Sequence, residues 1–143
     1  MEPLSISTSV VALVGLGVRI ARVVWEFRRH GKDAPEEFAE LAADISTLRL
    51  ILQKLELSRA SRAEGSGFWD ADHLAASLQN CNEVVCATGK KVQAIEQKLQ
   101  GGTLDRLFIT MASSSFRQDL QDLLSRLERS KSSLMLSLQL MSL

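Results

Sequence analysis

The sequence predicts an all-α protein, an antiparallel four-helix bundle with an additional short helix. Apolar residues recur at spacings of three and four through most of the chain. Only two prolines interrupt it, Pro3 and Pro35, both near expected helix starts, and no alternating strand–helix units follow one another. With 143 residues, 45% of them hydrophobic and 24% charged, residues 1–143 make one domain, large enough to bury a core and too apolar for wholesale disorder.

The first segment, residues 4–18, carries no charge, and Arg19, Arg22, Arg28, Arg29 and Lys32 follow it, opposed only by Glu26. Val10, Val14 and Val18, with Leu13, Ala21 and Val24, fit one helical face. Gly15, Gly17 and the β-branched residues make this a poor helix former, losing up to ~1 kcal/mol at each glycine, so the helix should depend on tertiary contacts.

For the second helix Asp33 offers an N-cap, Pro35 an early proline and Asp33-x-x-Glu36 a capping arrangement. Its stripe is Phe38, Leu41, Ile45, Leu48, Leu52 and Leu55, ending near Glu56. Glu36, Glu37, Glu40 and Asp44 crowd the start as a solvated face matched to the helix dipole. Periodicity lapses over residues 58–67, which read as a flexible, protease-accessible loop. A third helix is expected from Asp70 or Asp72, with the stripe Leu74, Leu78, Cys81, Val85, Thr88, Val92, Ile95 and Leu99, and Gly101-Gly102 as its stop. Leu104, Leu107, Phe108 and Met111 suggest the short helix. The last begins after Ser113-Ser114-Ser115, with Ser115 and Gln118 as a capping box. Its stripe is Phe116, Leu120, Leu123, Leu127, Leu134, Leu138 and Met141, and from Ser132 onward it is uncharged.

Several function classes find no support. Formal net charge is zero and tyrosine is absent, so neither a nucleic-acid partner nor base stacking is expected. Gly15-x-Gly17 would need a third glycine where Ile20 stands, so no dinucleotide site is expected. His30 and His73 lack ligand-spaced partners and read as solvated surface groups, so neither a metal nor any other cofactor is expected, and the chain reads as a non-enzyme. Cys81 and Cys86, five apart on a helix, point to different faces some ~8 Å apart, and read as reduced thiols of a cytosolic protein. The uncharged run of residues 3–18 spans only ~24 Å as a helix, short of a ~30 Å hydrocarbon core. Glu2 ahead of it argues against a secretion signal.

The opening Met1-Glu2-Pro3-Leu4-Ser5-Ile6-Ser7-Thr8-Ser9-Val10-Val11-Ala12-Leu13 resembles fungal N-terminal domains of the HeLo-like kind, which precede NACHT or NB-ARC nucleotide-binding modules in STAND receptors. Ala34-Pro35-Glu36-Glu37 and Leu127-Glu128-Arg129-Ser130-Lys131-Ser132-Ser133-Leu134 extend the likeness over the whole chain. The resemblance implies a helical bundle of fungal innate immunity, cytoplasmic and recruited to the plasma membrane. There it would self-associate as a homo-oligomer and drive regulated cell death through its N-terminal helix. It implies Leu4, Ile6, Val10, Leu13, Val14, Leu16 and Val18 as the membrane element, and Arg19, Arg22, Arg28 and Arg29 as contacts to anionic lipid. A downstream nucleotide-binding module is the further partner it implies. Gly15-x-Gly17 departs from the glycine-zipper spacing of some cell-death relatives.

Two readings of the first segment follow. It is the central helix of a resting bundle, its arginines paired with Glu36, Glu37 and Glu40, or it is an element that membrane can draw out. The alternative to membrane engagement is a soluble helical self-association or autoinhibitory module without lipid contact.

Overall fold

The computed structural model describes residues 6–61, 71–101 and 104–141. Five helices follow in order: α1 (Ile6–Arg29), α2 (Glu36–Ser61), α3 (Ala71–Gln100), α4 (Leu104–Ala112) and α5 (Ser114–Met141). The four long helices and one short helix are those the periodicity predicts. Leu4, residues 62–67 and Gly102 lie outside the described residues, as do the side chains of Leu104 and Met141.

Contacts between helices fix their directions. Phe27 meets Phe38, and Gly17 faces Ile45, so α1 and α2 are antiparallel. His73 meets Ser137 and Lys91 meets Asp119, so α3 and α5 are antiparallel as well. Ser9 meets Asn82 and Arg19 meets Glu96, which makes α1 and α3 parallel neighbours. Glu37 with Arg117 and Asp44 with Lys131 do the same for α2 and α5. Consecutive long helices therefore alternate in direction. The order around the bundle is α1, α2, α5, α3, with α2 and α3 facing each other across the diagonal. The short α4 packs on α3 and α5 at one end, burying Leu107 and Met111 and setting Phe108 against Phe27 at 5.1 Å between ring centroids.

One continuous core holds the expected stripes. Phe38, Leu41, Ile45, Leu48, Leu52 and Leu55 of α2 are buried, as are Leu74, Leu78, Val85, Val92 and Ile95 of α3 and Leu120, Leu123, Leu127 and Leu134 of α5. Leu99 is half-buried against it. Each fully buried leucine, isoleucine or phenylalanine contributes about 1.5–3 kcal/mol. Cys81 and Thr88, the small members of the α3 stripe, are fully buried; the thiol's burial pushes its pKa up to about 11. Thr88 satisfies its hydroxyl by donating to the Val84 carbonyl at 2.8 Å.

The ends of the helices differ from expectation. α2 starts at Glu36, its first bond running from Phe38 N–H to the Pro35 carbonyl at 3.0 Å, so Pro35 rather than Asp33 stands immediately before it. It runs on to Ser61, so residues 58–61 of the expected loop are helical. α5 is capped by Ser113, two residues before the expected Ser115: the Ser113 Oγ accepts from Phe116 N–H at 3.2 Å. Gln118 donates to Asp122 instead of closing a capping box. α1 ends on Gly31, whose φ of +69° is the left-handed conformation that favours glycine. There Lys32 N–H reaches the Phe27 carbonyl (2.9 Å) and Gly31 N–H the Arg28 carbonyl (3.0 Å), a Schellman closure.

Candidate functional site

α1 is apolar on two opposite faces. At 100° per residue, Ile6, Ser9, Leu13, Leu16, Ile20, Val23 and Phe27 form one stripe, and all seven are buried. Val11, Val14, Val18 and Trp25, spaced three, four and seven apart, form a second stripe opposite the first. This outward stripe is open to solvent: Val11 is 71% exposed, Trp25 59%, Val18 47% and Val14 42%. The bundle covers the inner stripe and leaves the outer one open.

The membrane-element residues inferred from the sequence divide between these faces. Ile6, Leu13 and Leu16 belong to the core, Val10 is half-buried, and only Val14 and Val18 point out. The single face proposed from Val10, Leu13, Val14, Val18, Ala21 and Val24 is therefore corrected: it straddles the true inner and outer stripes. β-Branched valines on both sides blur the period. Val11 and Trp25 complete the outer stripe, and their three-four-seven spacing with Val14 and Val18 is present in the sequence.

The arginines also divide. Arg19 is committed to α3, its Nη2 and Nε donating to Glu96 Oε1 at 2.6 and 3.0 Å. Arg22 and Arg28 are exposed and make no ion pair among the described residues. Arg29 reaches Glu26 only at 3.8 Å and lies over the Trp25 ring at 5.6 Å from its centroid. The expected pairing with Glu36, Glu37 and Glu40 is not formed. Glu37 is buried, against the expectation of a solvated acidic face, and accepts from Arg117 of α5 at 3.0 Å. Asp44 is likewise turned toward α5, where Lys131 bridges it (3.4 Å) and Glu128 (2.8 Å). The hydrogen bond to Glu128, helped by Asp44, raises the Lys131 pKa above its ordinary value.

Beside Trp25, α1 and α3 leave an open groove of about 460 Å³, lined by Arg22, Val23, Trp25 and Glu26 of α1 and by Glu96 and Leu99 of α3. Its walls combine apolar groups with Arg22 and two carboxylates, Glu26 adjoining Arg29 and His30 and Glu96 paired with Arg19. His30 is exposed and lies 3.8 Å from Glu26. His73 is not the solvated group expected, since it is half-buried with Nδ1 2.7 Å from Ser137 Oγ. Among the described residues no group of three His, Cys, Asp or Glu side chains could hold a metal ion. Both cysteines are free thiols, Cys81 buried and Cys86 exposed. No helix among the described residues is long and apolar enough to cross a membrane.

Comparison with protein-family models, with curated proteins and with solved structures finds no match to this chain.

Proposed function

We propose that this chain is a non-enzymatic N-terminal effector or signalling domain of a fungal innate-immunity receptor. It self-associates and engages anionic membrane through α1 to drive regulated cell death. On this reading it is cytoplasmic, is recruited to the plasma membrane, and works ahead of a nucleotide-binding module. The observation that carries the reading is the second apolar face of α1, left uncovered and followed on the same helix by Arg22, Arg28 and Arg29. A tryptophan among valines with arginines beside it has the composition of an interfacial helix. Each basic residue near an anionic surface adds about 1 kcal/mol of attraction.

A second reading has its own support. Gly15 sits beside this stripe, and a Cβ built there meets nothing within 4 Å, so a helix from a second copy could approach closely. On that reading the domain is a soluble self-association or autoinhibitory module without lipid contact.

Co-sedimentation with anionic and with neutral vesicles, together with dye leakage, separates the two. Binding to anionic vesicles alone supports the first reading, and leakage would make the domain a membrane executioner. A defined oligomer by light scattering with no vesicle binding would replace it with the second.

A further inference from the structure

We propose that α1 docks flat on an anionic bilayer through its outward stripe while its inward face stays packed in the bundle. This inference rests on the membrane reading above and specifies how the contact is made. The bound partner is a lipid surface, and the contact residues are Val11, Val14, Val18 and Trp25, with Arg22 and Arg29 alongside.

The geometry favours docking over release. Successive residues turn by about 100°, so Val11, Val14, Val18 and Trp25 fall within an arc of about 60°. Their arc lies opposite the buried stripe, and from Val11 to Trp25 it runs ~21 Å along the helix. A bilayer can meet this strip without moving any core residue. Release would instead take Ile6, Leu13, Leu16, Ile20, Val23 and Phe27, each no more than 4% exposed, out of the core. Nor would the freed helix span a bilayer, since none of the described helices is long and apolar enough to do so.

Charge complementarity selects the partner. Arg22 and Arg29 fall within about 50° of the centre of the outward stripe, and Arg28 lies at its flank. Two carboxylates lie near them: Glu26, at the edge, already adjoins Arg29 and His30, and Glu96 of α3 is engaged by Arg19. Arg22 and Arg28 make no ion pair among the described residues, and no acid stands within the outward stripe itself, so an anionic headgroup meets a net positive flank there. The groove beside Trp25 sets Arg22 beside Val23 and Leu99, and the two carboxylates of the same lining, Glu26 and Glu96, already face Arg29 and Arg19. A tryptophan at this height is placed for the headgroup boundary.

The test locks α1 to α2. Gly17 faces Ile45 across the α1–α2 contact, a Cβ built at Gly17 lying 3.8 Å from Ile45 Cγ2, so a cysteine pair is introduced at these two positions as the cross-link. The full chain carries Gly17→Cys and Ile45→Cys with Cys86→Ser, and Trp69→Phe leaves Trp25 as the only tryptophan. Binding to phosphatidylserine–phosphatidylcholine vesicles is measured with the lock oxidised and reduced. Docking predicts equal affinity in both states, with a blue-shifted Trp25 emission quenched by brominated lipid. Binding only when reduced would overturn docking in favour of release while leaving the membrane reading standing. No vesicle binding by the wild-type chain would defeat that reading itself.

Should the locked chain not fold, Val11→Asp with Val18→Asp changes only exposed positions. A folded double variant that loses roughly tenfold or more in vesicle affinity supports docking, and unchanged affinity overturns it. A vesicle-independent dimer abolished by the same pair would assign the stripe to a second copy instead.

Discussion

The two halves of the bundle are built from different materials. Between α1 and α2 the contact is large and apolar: Phe38, Leu41, Ile45 and Leu48 of α2 share one core with Leu13, Leu16, Ile20 and Phe27 of α1, with the Phe27 and Phe38 rings 6.4 Å apart. Between α3 and α5 it is partly polar. Ser77 Oγ and Ser133 Oγ are 2.5 Å apart, His73 and Ser137 bond at 2.7 Å, and Ser130 and Ser137 are buried. Small hydroxyl side chains let helices approach closely but remove little apolar area from water. The α1–α2 contact is thus the more apolar of the two. The helix proposed to touch membrane is anchored by the more apolar half, which is what flat docking requires.

The largest effect should come from the apolar half. Phe27→Ala removes a buried ring that touches both Phe38 and Phe108, and should cost about 3–5 kcal/mol in urea unfolding. A loss below 1 kcal/mol would mean that α1 is not anchored as described. Alkaline pH tests the core from the α3 side. In the unfolded chain the Cys81 thiol ionises near its ordinary value of 9, but in the folded chain only at about 11. Stability contributed by the neutral thiol is therefore complete below pH 9 and is lost as pH rises through 11, by something on the order of 2 kcal/mol. Lys131, also raised, adds to the loss above its ordinary value of 10.5. Cys81→Ala should flatten the pH 9–11 part of the stability curve, and an unaltered slope would place the thiol outside the core.

Smaller still is the polar half. Ser77→Ala strands the Ser133 hydroxyl and should cost about 1 kcal/mol. Adding Ser133→Ala should recover part of that loss, and strict additivity in the double-mutant cycle would deny the coupling. The smallest change in stability belongs to the outward stripe. Trp25→Ala should move the unfolding midpoint by an amount worth no more than ~0.5 kcal/mol, although it should weaken vesicle binding. A large stability loss would show that Trp25 supports the fold rather than a contact.

Much of this was legible in the sequence for a physical reason. α2, α3 and α5 each have one apolar stripe against polar residues, so a period of 3.6 stands out, as Leu41, Leu48, Leu78 and Leu127 illustrate. α1 lacks that contrast because it is apolar on both sides, and its inner stripe could not be separated from its outer one by pattern alone. Partners lying far along the chain were equally hidden: nothing local to Arg19 names Glu96, and nothing near Glu37 names Arg117. The acidic start of α2 looked solvated because its basic partners arrive from α5, 80 residues on for Glu37 and 87 for Asp44. Gly31, by contrast, is a local signal, a glycine just past the last basic turn of α1, where a helix stop is expected.

The diagonal step from α2 to α3 has a consequence for assembly. It divides the molecule into two helical hairpins, α1–α2 and α3–α4–α5, joined covalently only through residues 62–70. Each hairpin closes by local contacts, which form early, and the two must then dock side by side. The first hairpin of one molecule therefore fits the second hairpin of another with the same set of contacts. Were two molecules to exchange hairpins, the resulting dimer would use no surface beyond the core itself. Refolding at high concentration should reveal it as a slowly dissociating dimer of unchanged helix content in size-exclusion chromatography. If only monomer is recovered, docking within one chain outruns exchange.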